Sequence, residues 1–142
     1  MDFFTALDVS GTGMSAERVR VNLASSNLAN AETTRGPNGQ AFRRLDPVFE
    51  AVPVIGSDGQ IGNPAEPAGV RVSQILADPN PGKRVYSPGH PDADPQGFVT
   101  LPNVNPVHEV VNLLSASRGY EANATAVETL KQMAQRGLDI AR

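Results

Sequence analysis

The chain has 142 residues, with 12 Lys+Arg against 15 Asp+Glu, a net charge near −3 and no Cys. Those values exclude a disulfide scaffold, a thiolate metal site and a Cys nucleophile, and the lack of any basic run excludes nucleic acid as a partner. No apolar run reaches the roughly 18 residues of a membrane-spanning helix. No cleaved signal peptide is expected either, because Asp2 stands where one would carry a basic residue and no apolar stretch follows.

Punctuation divides what remains. All 12 Pro fall between Pro37 and Pro106, and nine of the 13 Gly fall between Gly36 and Gly97. Two Pro-free ends therefore flank a Pro/Gly-rich middle. The expected class is α+β: long N- and C-terminal helices over 1–35 and 106–142 that pair as a coiled coil, with a small β-rich domain over 36–105.

From Phe4 to about Glu32 the periodicity is helical. Leu7, Met14, Val21 and Leu28 recur every seven residues and form one stripe. Ala16, Val19 and Leu23 form a second stripe on roughly the opposite face. A helix apolar on two faces needs neighbours on more than one side. Gly11 and Gly13 predict weak or kinked first turns.

In the middle, Ala41–Leu45 and Val48–Val52 read as β-like runs separated by Asp46-Pro47. Val54-Ile55 leads to a tight turn at Asp58-Gly59, and Gly62–Gly69 reads as a loop. Val70–Ile75 alternates as a strand. Lys83–Tyr86 and Gly97–Leu101 are expected to pair around the loop between them.

The third segment opens on a clear start signal, with Asn105 as N-cap and Pro106 at the first helical position. Glu109 in the first turn complements the helix dipole. Leu113, Tyr120, Val127, Ala134 and Ala141 recur at sevens, with Ala116, Asn123, Leu130 and Gly137 at the half-steps, as in a coiled-coil seam. Val110, Leu114, Met133 and Ile140 add apolar surface away from that seam. Stripes of this length on two helices mark a partner surface.

Catalytic chemistry has little to stand on. His90, Asp92 and Asp94 lie within five residues. A catalytic metal would recruit ligands from other elements too, so the reading adopted is a Pro-fixed turn in which Asp92 and Asp94 cap backbone N–H groups. Asn123-Ala124-Thr125 matches a glycosylation sequon, but inside a predicted helix it reads as chance. No nucleophile, base and orienting group stand together. Neither an enzyme nor a cofactor is expected.

Three stretches resemble the flagellar basal-body rod proteins. Ser25-Ser26-Asn27-Leu28-Ala29-Asn30-Ala31-Glu32-Thr33-Thr34-Arg35-Gly36 is similar to the N-terminal signature shared by axial proteins. Val85-Tyr86-Ser87-Pro88-Gly89-His90-Pro91-Asp92-Ala93-Asp94, continuing through Gly97-Phe98-Val99 to Pro102-Asn103-Val104-Asn105, resembles the proximal rod members in particular. Glu109–Asn123 resembles the C-terminal axial helix. Ser87 stands where that family usually has Asp, Gly119 where Ala is usual, and no aromatic follows Gly36.

The resemblance implies a structural subunit of the proximal rod, polymerising through its terminal helices into the drive shaft and export channel of the motility organelle. It implies export by the flagellar export apparatus without a cleaved signal, and location in the periplasm-spanning part of the basal body. Its partners would be other rod proteins and further copies of itself. The terminal helices would line the channel and stay disordered until assembly. The expected assembly residues are Leu7, Met14, Val21 and Leu28 against Leu113, Tyr120, Val127 and Leu130. The residues carrying the family motifs are Asn27, Asn30, Thr33, Tyr86, His90, Pro91, Asp92, Asn103 and Asn123. Two rival classes would be a soluble adaptor built on a helical hairpin and, remotely, a metal hydrolase using His90, Asp92 and Asp94.

Overall fold

The computed structural model describes residues 3–53 and 68–140. In chain order the elements are α1 (Phe3–Ala29), β1 (Leu45–Pro53), β2 (Ala68–Ala77), β3 (Lys83–Tyr86), β4 (Phe98–Leu101) and α2 (Pro106–Ile140). Two long helices thus bracket short strands, the α+β arrangement expected. Among the described residues β1 pairs with β2, and β3 with β4. The expected turn at Asp58-Gly59, most of the loop before Gly69, and Ala141 lie outside the described residues.

Local chemistry accounts for the boundaries. Asn105 caps α2: its side-chain oxygen accepts the Val107 N–H at 3.0 Å and the His108 N–H at 3.4 Å, while its carbonyl accepts from Glu109 N. α1 ends at Ala29, earlier than Glu32. There the Asn30 side-chain amide donates to the Ser26 carbonyl at 2.9 Å, and the chain closes turns from Ala31 to Leu28 and from Thr33 to Asn30. Gly11 and Gly13 do not interrupt α1, nor Gly119 and Gly137 α2.

Two strand expectations are corrected. Asp46-Pro47 was expected to separate two runs, yet β1 continues through it and begins only at Leu45. In a two-stranded sheet each strand has an open edge, so a Pro without an N–H is tolerated. Gly69, expected in a loop, lies inside β2.

The chain divides into two compact units, each taking part of both helices. One unit comprises Met1–Val19, Val48–Gln74 and Ser115–Arg142. Its helices run antiparallel at close approach. A Cβ added at Gly13 would lie 3.0 Å from the Asn123 amide, and one at Gly119 would lie 2.9 Å from Glu17 Oε1. Four residues forward on α1 thus match four backward on α2. Ala16 and Ala116 are buried in this unit. The Val70 N–H donates to the Thr12 hydroxyl at 3.2 Å, joining β2 to α1. Ser73 donates to the Val48 carbonyl and Arg71 pairs with Glu50, so β1 and β2 run in opposite directions.

The other unit comprises Arg20–Pro47 and Ile75–Leu114. The two runs expected to pair do so: its β3–β4 hairpin pairs Lys83 with Leu101, Arg84 with Thr100, Val85 with Val99 and Tyr86 with Phe98. Alternation puts Val85, Val99 and Leu101 on one face, with Val99 buried, and Arg84, Tyr86 and Phe98 on the other. On that second face the Tyr86 and Phe98 rings meet edge to face at 5.3 Å, and the Arg84 guanidinium sits 4.8 Å from the Phe98 ring centre. Gly97 precedes β4 with φ +84°, and a Cβ there would fall 2.8 Å from the Tyr86 ring. Glycine is required at that turn for both reasons.

Candidate assembly surfaces

Small side chains bring the helices together, and a polar cluster holds their ends in the second unit. Asn27 and Glu109 are each 1% exposed, the largest fully buried side chains among the described residues. The Glu109 carboxylate accepts the Arg44 Nε–H at 2.6 Å on Oε1 and the Asn27 amide N–H at 3.1 Å on Oε2. Asn27 also brackets the backbone of Leu45. Its Nδ2 donates to the Leu45 carbonyl at 2.9 Å, and its Oδ1 accepts the Leu45 N–H at 2.9 Å. Arg44 has a second anion in Asp46. Burial opposes the Arg44 charge, but the hydrogen bond to Glu109 and the negative charges of Asp46 and Glu109 hold its pKa above the ordinary arginine value. Among the described residues no buried side-chain nitrogen or oxygen lacks a partner, so the cluster meets the condition under which buried polar groups are tolerated.

The 87–97 loop is held by its own backbone and by two carboxylates. Ser87 N donates to Gly97 O, His90 N to Ser87 O and Ala93 N to His90 O. Asp94 takes the backbone N–H groups of Gln96 and Phe98, each at 2.9 Å, and an Arg84 N–H at 2.6 Å. Asp92, expected to cap backbone groups as well, instead accepts the Thr34 hydroxyl at 2.8 Å and lies 3.6 Å from Arg35. The backbone N–H groups that follow it are already spent, that of Ala93 on the His90 carbonyl at 3.0 Å and that of Asp94 on the Phe98 carbonyl at 2.8 Å. The Asp92 carboxylate thus ties the loop to the segment after α1. Among the described residues no three His, Asp or Glu side chains are grouped to hold a metal.

Two apolar features are left open. On the first turns of α2, Val107, Val110, Val111 and Leu114 are 74, 43, 57 and 52% exposed. Their spacing of three, four and seven places them on one helix face. In the first unit an open, mostly apolar groove of about 680 Å³ runs along α1, lined by Leu7, Gly11, Ala16, Val19, Val52, Val70 and Val72 among others. No helix among the described residues is long and apolar enough to cross a membrane.

The expected assembly residues lie beside the seam. Leu7, Met14, Val21 and Leu28 on α1 are half-buried, as are Leu113, Val127 and Leu130 on α2, whereas Tyr120 is 37% exposed. Of the motif residues, Thr33 donates to Asn30 Oδ1 at 3.2 Å, Asn103 to Asp78 at 3.0 Å and Asn123 to the Gly119 carbonyl at 2.9 Å. Tyr86 and Pro91 are exposed and His90 is half-buried. Arg44, Thr34 and Arg35 carry no sequence signal beyond their charge or hydroxyl, and sequence reasoning missed their roles. Glu109 was visible only as a first-turn acid.

Comparison with known proteins agrees with this layout. The family pattern described as flagella basal body rod protein matches residues 7–37, and that described as flagellar basal body rod FlgEFG protein C-terminal matches residues 96–140. The flagellar basal-body rod protein FlgC of Yersinia enterocolitica is 41% identical over 133 residues, covering 94% of this chain and 93% of that protein. FlgC of Aquifex aeolicus is 43% identical over 137 residues, covering 96% and 95%. FlgC of Bacillus subtilis is 39% identical over 150 residues and spans the whole of both chains. With identity of this size across nearly the full length, and the two matched patterns falling on α1 and α2, the chain belongs to the flagellar basal-body rod proteins and is FlgC-like.

Proposed function

We propose that the chain is a structural subunit of the proximal rod, assembling through its terminal helices with other rod proteins and with copies of itself. Membership in a structural family supports a mechanical role and not an enzymatic one. The terminal helices would form the axial part of the shaft and its channel. Leu7, Met14, Val21 and Leu28 would face Leu113, Tyr120, Val127 and Leu130 at or beside the contacts between helices. Export would proceed through the flagellar export apparatus without a cleaved signal, into the periplasm-spanning part of the basal body.

One observation carries this reading: the row of exposed Val107, Val110, Val111 and Leu114 on a 35-residue helix. An apolar row of that kind on a folded helix is a partner surface. The test is Val111→Asp combined with Leu114→Asp. Both side chains are already in water, so the isolated chain should keep its circular dichroism. In a strain lacking the wild-type gene, the variant should be exported yet fail to restore swimming. Normal swimming with the double variant would overturn the reading.

A further inference from the structure

We propose that the buried Asn27–Glu109–Arg44 cluster is a register lock: it selects which turn of α1 faces which turn of α2 and makes that choice conditional on docking of the first residue of β1. The helix contact around it is poor in features that would select a register. Ala24 is the only buried apolar side chain that α1 and α2 contribute to this unit among the described residues. Within this unit small side chains pack almost equally well one turn along, because sliding them opens no large cavity; the close approaches at Gly13 and Gly119, which also oppose a slip, belong to the other unit. A single buried polar group in such a contact discriminates strongly, since a slip leaves it desolvated and unpartnered.

The bonding pattern has that property. Asn27 spends both amide hydrogens and its oxygen, on Glu109 and on the two backbone groups of Leu45. Glu109 uses one carboxylate oxygen on Asn27 and the other on Arg44. A one-turn slip moves Glu109 about 5–6 Å along the helix axis, beyond any hydrogen bond to either partner. The partners come from segments 18, 65 and 82 residues apart. The lock therefore closes only when α1, the chain entering β1 and α2 are all in place.

The absence of Cys makes the test clean. With Asn27 facing Glu109 in an antiparallel pair, Ala24 and Asn112 oppose each other one turn away. The Ala24→Cys/Asn112→Cys pair reports the native register, while Val21→Cys/Asn112→Cys and Leu28→Cys/Asn112→Cys report slips of one turn, because a disulfide needs Cα atoms within about 7 Å. In the otherwise native full-length chain only the 24/112 pair should close under mild oxidation. Adding Arg44→Met with Glu109→Leu, which replaces the ion pair by apolar bulk, should raise the yield of an off-register disulfide at least tenfold while helical circular dichroism is retained. If that variant loses its helicity, Asn27→Ala is read in the same way, since it leaves Arg44 and Glu109 paired but releases Leu45. Exclusive 24/112 closure at the parent rate in a folded lock variant overturns the proposal. So does failure of the parent 24/112 pair to close, and so does unfolding of both variants, which would make the cluster a requirement for folding and not a selector of register.

Discussion

The Asp94 carboxylate gathers the N–H groups of Phe98 and Gln96 and the Arg84 guanidinium at the mouth of the β3–β4 hairpin. The Phe98 N–H does most to hold its pKa below the ordinary carboxylate value; burial opposes this, and Gln96 and Arg84 add to it. A carboxyl depressed in the folded state adds stability at pH above its unfolded value, and that contribution disappears as the pH falls through the folded value. The hairpin should therefore be intact near neutrality and weaken on acidification below the usual carboxylate range. Asp94→Asn should remove that part of the acid response, measurable as hydrogen exchange of the Val85 and Val99 amides against pH. An unchanged acid profile in the variant would assign the response to another group. Neighbouring Asp92 shows why residue type alone misleads: two acids two positions apart in a Pro-rich loop look equivalent, yet one organises its own turn and the other reaches Thr34, 58 residues away.

Among the elements, what could be read from sequence is what local chemistry decides. The start of α2 was legible because Asn105 and Pro106 act within one turn. The β3–β4 pairing was legible because two short runs rich in β-branched and aromatic residues flank one Pro- and Gly-rich loop. The start of β1 was not, since Asp46-Pro47 breaks a central strand but not an edge, and sequence does not reveal which a strand will be. The Glu109–Arg44 bond was illegible for a related reason: no periodicity links positions 65 residues apart. The helical glycines separate the same way. A Cβ at Gly137 meets nothing within 4 Å, whereas one at Gly119 meets the Glu17 side chain. Gly137→Ala should stabilise α2 by about 0.5–1 kcal/mol. Gly119→Ala should gain less, because the Glu17 side chain must move aside. Thermal melts of the two variants rank them, and a larger gain at Gly119 would show that the seam is looser than its distances indicate.

At the scale of the molecule, the described residues bury little apolar surface of their own. Among the described residues the buried apolar side chains besides Pro102 are Ala16, Ala24, Val99 and Ala116, and three of these four are alanines. At about 25 cal/mol per Å², side chains of that size contribute little each, while valines, leucines and two isoleucines stay in water. Stability of such a chain should depend on association, since any partner that binds only the folded form raises it by mass action. Scanning calorimetry over a hundredfold range of protein concentration should show the melting midpoint rising with concentration, and a high, concentration-independent midpoint would contradict this. The exposed row on the first turns of α2 carries a consequence for how the gene tolerates change. In an ordinary monomer, freedom to vary grows with exposure. Where the most exposed valines are the ones a neighbouring subunit must cover, that relation should invert: Val107 and Val111 should be more constrained than half-buried Asn112, which follows Val111, so solvent exposure measured on one chain would misrank the positions that swimming depends on.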